Sequence, residues 1–343
     1  MTNLKTKIIK FLIAAAVVLL IVNVALNYKK KPPKREPVNE RSVHQIENVF
    51  FKVLDDYGIE KDWISTKKVK PAEEDSIRVQ YFVKLPTDVP VPLIIKDINK
   101  VIEKDITAFV SEEKKIFGTT EVRIYTNEIL KLKATLIPDK ESIRKRNELS
   151  FIISDALDLS DANYKKFLSV YFPATALVTP GLDVQTKIDT LKNYLKEYAV
   201  YLNDDIKDSE LKLNPGFQKQ ILRGSIGNII SDFKEAKLYV VDERSKVFRS
   251  PIYGFVRDEF KRQGIILHPK SEFINLETKE DSVLVSKFRS YCNDSTGTRQ
   301  KVFILKFEDF QKIFGEIERL KKKGNKIVPL SNSLDKSKTS LDR

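Results

Sequence analysis

Several short apolar stretches of the chain end in side chains that can do chemistry. Asp155 follows Leu149–Ser154, and Thr179, Pro180 and Gly181 follow Ala174–Val178. Tyr201 lies in Tyr198–Leu202, with Asn203 and Asp204 just beyond. Asp242 and Arg244 follow Leu238–Val241, and Lys306 follows Val302–Leu305. Asp155, Asp204, Asp205 and Asp242 are hard oxygen donors of the kind that hold magnesium or calcium, ions that activate water less well than a histidine-bound zinc. Carboxylates so placed more often bond to arginine or backbone. Asp242 and Arg244 read most simply as an ion pair or loop brace able to serve in substrate binding. Tyr201 and Phe307 can stack on a ligand ring, although aromatics at strand ends are usually core. Lys306 becomes a nucleophile only where it is desolvated.

Other chemistries are excluded by what is missing. The lone cysteine, Cys292, permits neither an intramolecular disulfide nor a cysteine-based zinc cluster. The two histidines, His44 and His268, form no paired motif, so a metal site with two or three histidines is not available. His268 falls in a helix-to-strand loop and reads as a surface or packing residue.

The elements that must position these side chains follow from hydrophobic periodicity. Beyond a charged stretch at Ser142–Glu148, the strands named above, with Ile265–Leu267 and Ile327–Leu330, alternate with helical patterns. The helices are read at Ala162–Tyr171, Val184–Glu197, Ile252–Gln263 and Phe307–Lys322. Wholly apolar strands separated by helices imply a parallel sheet covered by helices. Seven or so strands in that length suit a closed or nearly closed barrel, in which chemistry collects at the carboxyl ends of strands. Before the boundary, a helix over Ser42–Tyr57 precedes an alternating strand from Ile77 to Leu85. A helix after Pro90 and Pro92 and a hairpin through Val122 and Leu136 complete a small α+β domain with no catalytic constellation.

The net charge of +13 resides in the ends. Residues 1–40 and 319–343 carry +6 each, leaving the rest nearly neutral, which argues for solvated tails and against a nucleic-acid partner. The apolar run Phe11–Leu26, flanked by lysines, reads as an uncleaved signal anchor, a single transmembrane helix with the soluble part beyond it. Residues 29–40 then form a basic linker.

Four segments carry a resemblance to a known family. Phe151–Ser160 is an apolar strand running into Asp155, and Phe172–Gly181 is a proline-led apolar segment. Leu238–Ser245 and Lys326–Ser331 complete the set, in order. Together they resemble the divergent polysaccharide deacetylase family over residues 147–334. The resemblance implies a deformed (β/α) barrel, an extracytoplasmic location, and a superfamily that removes acetyl groups from amino sugars with a divalent metal. In that superfamily a pair of aspartates supplies the base and a ligand, and two histidines complete the site. Here Asp155 matches the first aspartate, but Ala156 stands at the ligand aspartate and Tyr201 at the first histidine. Ser225 is the nearest match to the second histidine, and Leu305–Glu308 covers the late histidine motif.

The expectation is therefore an α/β chain in five parts: an anchor (1–28), a linker (29–40), a small α+β domain (41–141), a divergent deacetylase-like barrel (147–334) and a disordered tail (335–343). Asp155 is expected as a remnant base, with Asp242, Arg244, Tyr201 and Asp204 binding substrate and no metal bound. The expected function is that of a membrane-anchored envelope protein (periplasmic or cell-surface) that binds a glycan or an envelope protein. Two alternatives stay open: an active deacetylase with a divalent metal in an atypical site, and a structural protein acting through the small domain.

Overall fold

The computed structural model describes Val18 and residues 41–333, except 74, 75, 115, 117, 145, 277, 279 and 294–298. Apart from Val18, the proposed anchor and linker lie outside the described residues, as does the 335–343 tail. Among the described residues no helix is long and apolar enough to cross a membrane. The chain divides into two compact units, one of residues up to Leu54 with Glu60–Ser142, the other of Asp55–Ile59 with Ile143–Arg343.

The first unit is a five-stranded sheet under two helices. Helix α1 (Val43–Asp56) precedes β1 (Ile64–Lys68) and β2 (Val79–Pro86). Helix α2 (Val91–Ile102) leads to β3 (Ala108–Glu113), β4 (Thr120–Thr126) and β5 (Ile129–Asp139). The strand order is β1-β2-β5-β4-β3, with β2 and β5 parallel. Alternation in β4 and β5 puts Val122, Ile124, Leu132, Ala134 and Leu136 on one face, fully buried. Ile46, Phe50, Ile94, Ile98 and Ile102 from the helices are buried with them. β1 and β3 are additions to the expected strand, helix and hairpin.

The second unit opens with β6 (Glu148–Ile153), α3 (Asp161–Ser169), β7 (Thr175–Val178), α4 (Gln185–Asn193) and β8 (Tyr198–Leu202). It continues through α5 (Lys219–Asp232), β9 (Tyr239–Val241), α6 (Tyr253–Arg262), β10 (Leu267–Pro269) and β11 (Ile274–Asn275). Helix α7 (Asp281–Asn293), β12 (Gln300–Leu305), α8 (Phe307–Lys312), α9 (Phe314–Lys322) and β13 (Lys326–Ile327) complete it. All its strands are parallel, in the order β10-β9-β8-β7-β6-β12-β11, with β13 against the start of β6.

That order forces the sheet to curl. Seven strands laid flat would put the outer two about 29 Å apart at ~4.8 Å per pair. Yet those two, β10 and β11, are joined by only Lys270–Phe273, a connection that stretches at most about 18 Å. The sheet therefore wraps round until its edges approach, giving the barrel-like form that the apolar strands imply. Its two faces have separate cores. Ile152, Leu177, Ala199, Val240, Ile304 and Leu330 fill the inside. The outer face packs on the helices around Phe151, whose ring lies 5.3–6.5 Å from those of Phe172, Phe288, Phe303 and Phe310.

Several expectations need correction. Ile266 is exposed and β10 begins one residue later, so His268 is a strand residue and not part of a loop. The expected strand Ile327–Leu330 pairs only at Lys326 and Ile327; beyond it Leu330 plugs the inner cluster, while Ser150 Oγ donates to the Val328 carbonyl at 2.9 Å. Helix Phe307–Lys322 is broken at Ile313, where the chain tightens and the Glu316 N–H donates to the Ile313 carbonyl three residues back at 3.0 Å. The C-terminal charge is only partly tail: Arg319 and Lys323 belong to folded structure and pair with Asp56 (3.5 Å) and Asp55 (3.2 Å).

Candidate functional site

The carboxyl ends of β8, β9 and β10 bring the candidate residues together. Tyr201 is paired with Val240, and Val240 with His268, so all three side chains share the inner face. Asp242, two residues beyond Val240, follows the same phase, and its N–H continues the ladder to the Leu202 carbonyl at 3.0 Å. The Tyr201 hydroxyl donates to Asp242 Oδ2 at 2.7 Å. Arg244 donates its backbone N–H to Asp242 Oδ1 at 2.9 Å, Nε to Oδ1 at 3.2 Å and Nη2 to Oδ2 at 3.3 Å.

These four bonds occupy the ~four acceptor sites of an ionised carboxylate. Partial burial works to raise the Asp242 pKa, but the bonds from Arg244 and Tyr201 outweigh it and hold the carboxyl below its ordinary range. Burial, and then the bond to Asp242, push the Tyr201 phenol well above its usual range. Tyr201 is thus fixed as a protonated donor. Asp242 is spent on positioning, and the group it presents is the Arg244 guanidinium, 74% exposed.

The neighbouring loops are tied to this pair. Asp204 accepts the Lys246 N–H through both oxygens at 3.1 Å, joining the β8 and β9 loops. Glu243 Oε1 accepts the Ser271 N–H at 2.8 Å. Lys270 Nζ lies 5.7 Å from the centre of the Tyr201 ring, and His268 Nδ1 is 2.7 Å from Glu272 Oε2. Lys270 and His268 went unread as mouth residues because the strand was placed early; with β10 in register both fall near its end, and Glu243 joins them from the β9 loop through Ser271.

Other candidates do not join the site. Asp155 Oδ1 accepts the Phe307 N–H at 2.8 Å, clasping the ends of β6 and β12. Phe307 is 1% exposed, edge-on to Phe167 and stacked against Phe310, so it cannot meet a sugar. Lys306 is exposed at the head of α8, without the desolvation a lysine nucleophile needs. Asp205 accepts from the side chain of Asn203.

The donor set does not fit the divalent metal that the family resemblance implies. Among the described residues no three histidine, cysteine or acidic side chains are grouped to hold an ion. Ala156 offers no donor and is fully buried in the outer core. Ser225, the nearest match to a ligand histidine, is buried within α5 and away from any strand end. The four mouth aspartates are engaged separately and form no carboxylate cluster.

No known family model matches the sequence, and no curated protein matches it. Among solved structures, the chain is similar to a CE4 family pseudoenzyme, BA3943 from Bacillus anthracis, at 12% identity and TM-score 0.38, covering 70% of this chain and 94% of that one. A mutant of BA3943 described as having restored enzymatic activity matches at 11% identity and TM-score 0.39, covering 70% and 97%. The peptidoglycan deacetylase PdaC from Bacillus subtilis matches at 15% identity and TM-score 0.33, covering 58% and 96%.

Proposed function

We propose that this chain is a membrane-anchored envelope protein whose second unit is a degenerate deacetylase-type barrel that binds a glycan without hydrolysing it. The observation that carries the reading is the saturated Asp242. A carboxylate holding four hydrogen bonds is neither a free base nor an open metal ligand. It serves to aim Arg244, whose remaining N–H groups suit the acetamido carbonyl and hydroxyls of an N-acetylated sugar. Lys270 beside the Tyr201 ring adds a further donor at the same mouth. The apolar run Phe11–Leu26 supports the membrane anchor, and the extracytoplasmic placement rests on the resemblance to the deacetylase family.

Calorimetry of the full chain, held in detergent, against N-acetylglucosamine oligomers tests the reading. Binding is expected, and Arg244→Ala is expected to weaken it at least about tenfold, the scale of one lost charge-assisted bond. No binding across the oligomer series would overturn it. Release of acetate that is abolished by Asp155→Ala and by chelation would replace it with a hydrolase.

A further inference from the structure

The first unit holds a groove of about 990 Å³ between α2 and the edge strand β3. Helix α2 uses Ile94, Ile98 and Ile102 to cover the sheet centre. Its next row, Val91, Ile95 and Asn99, forms one wall of the groove, and alternate residues of β3, Phe109, Ser111 and Glu113, form the other. Each wall runs about 12–14 Å, the length of roughly four residues of extended chain.

The backbone of β3 supplies the rest. Lys114 N–H donates to the Thr119 carbonyl at 2.9 Å, which fixes the phase of the β3–β4 ladder. The bonded partners are then Ser111's neighbours, Val110 and Glu112, while the N–H and C=O groups of Phe109 and Ser111 face away from β4. Among the described residues β3 pairs with no other strand, so that edge is open. The same two residues thus offer unpaired backbone to the edge and side chains to the groove.

Charge narrows the occupant. On the opposite face of β3, Glu112 is matched by Lys114 (2.7 Å) and Arg123 (2.9 Å). On the groove side the lining carries one carboxylate, Glu113 at the end of β3, and one cation, exposed Lys96, which has no ion pair among the described residues. We infer that this groove binds an extended peptide that adds as a strand to β3, inserts apolar side chains at alternate positions, and sets a carboxylate against Lys96.

Display of random octapeptides on the full chain in detergent tests the inference. Enriched peptides should carry apolar residues two apart and an acidic group. Their affinity should fall at least about tenfold with Phe109→Asp, with Lys96→Glu, and with Ser111→Pro, which removes an edge donor that β4 does not use. Val110→Asp, on the opposite face, should leave affinity unchanged, and each variant should keep the wild-type circular dichroism. Absence of alternating peptides from the enriched set would overturn the inference. So would enriched peptides indifferent to Ser111→Pro, or displacement of the peptides by palmitate with no effect of Ser111→Pro on palmitate affinity, which would assign the groove to an acyl chain.

Discussion

Asp242 shows how one side chain can be read correctly in kind and still be misjudged in availability. Its pairing with Arg244 was legible from the two-residue spacing, but the second partner, Tyr201, comes from a strand 41 positions away and emerges only from the parallel register. The folded pKa of Asp242 is depressed, so its stabilising contribution is present above the unfolded carboxylate value near ~3.9 and is lost as pH falls through the lower folded value. Asp242→Asn should therefore remove part of the acid-side loss of stability below about pH 4, as read by urea midpoints across pH. A second residue, Ala156, predicts the outcome of the simplest repair. It is fully buried among apolar side chains, so Ala156→Asp would strand a carboxylate there and lower stability by at least about 3 kcal/mol, measurable by urea unfolding, without creating metal affinity.

Elements were legible wherever burial imposed a pattern. β8 is found residue for residue, because all of Tyr198–Leu202 but Tyr201 is buried and the run is uniformly apolar. β1 and β3 escaped notice for the opposite reason: nearly every residue is exposed, so no alternation marks them. Helix α5 was hidden by Gly224 and Gly227, which resemble turn signals yet sit inside a helix held by buried Leu222, Ile226 and Ile229. The turn after α9 depends on a particular glycine. Gly324 has φ +102°, and a Cβ there would come within 2.9 Å of Arg144, whose guanidinium donates to the carbonyls of Tyr57 and Lys322. Gly324→Ala should cost about 1–2 kcal/mol from backbone strain alone, with thermal denaturation as the check.

At the scale of the whole molecule, the strand order decides the curl of the second unit's sheet, while the proposed anchor would decide the address. No composition reveals that β10 and β11 are the edges, since each is three residues or fewer and too short for periodicity to register. The N-terminal run, by contrast, is legible from sequence alone. Full-length chain is expected in the membrane fraction after ultracentrifugation and a variant starting at residue 41 in the supernatant; recovery of both in the supernatant would remove the anchor from the reading.

The short connection from β10 to β11 has a dynamic consequence. Among the described residues the strand ladder is continuous except at this seam, which is bridged by the chain itself and the Ser271–Glu243 bond. Such a clasp opens without breaking a ladder, so amides of Leu267–Asn275 should exchange with deuterium faster than those of β6 and β12 in the opposite wall. Lys270 stands on the clasp and over the Tyr201 ring, so a sugar gripping both would fasten it. Slower exchange at the seam on addition of N-acetylglucosamine oligomers would make it a gauge of occupancy at the mouth.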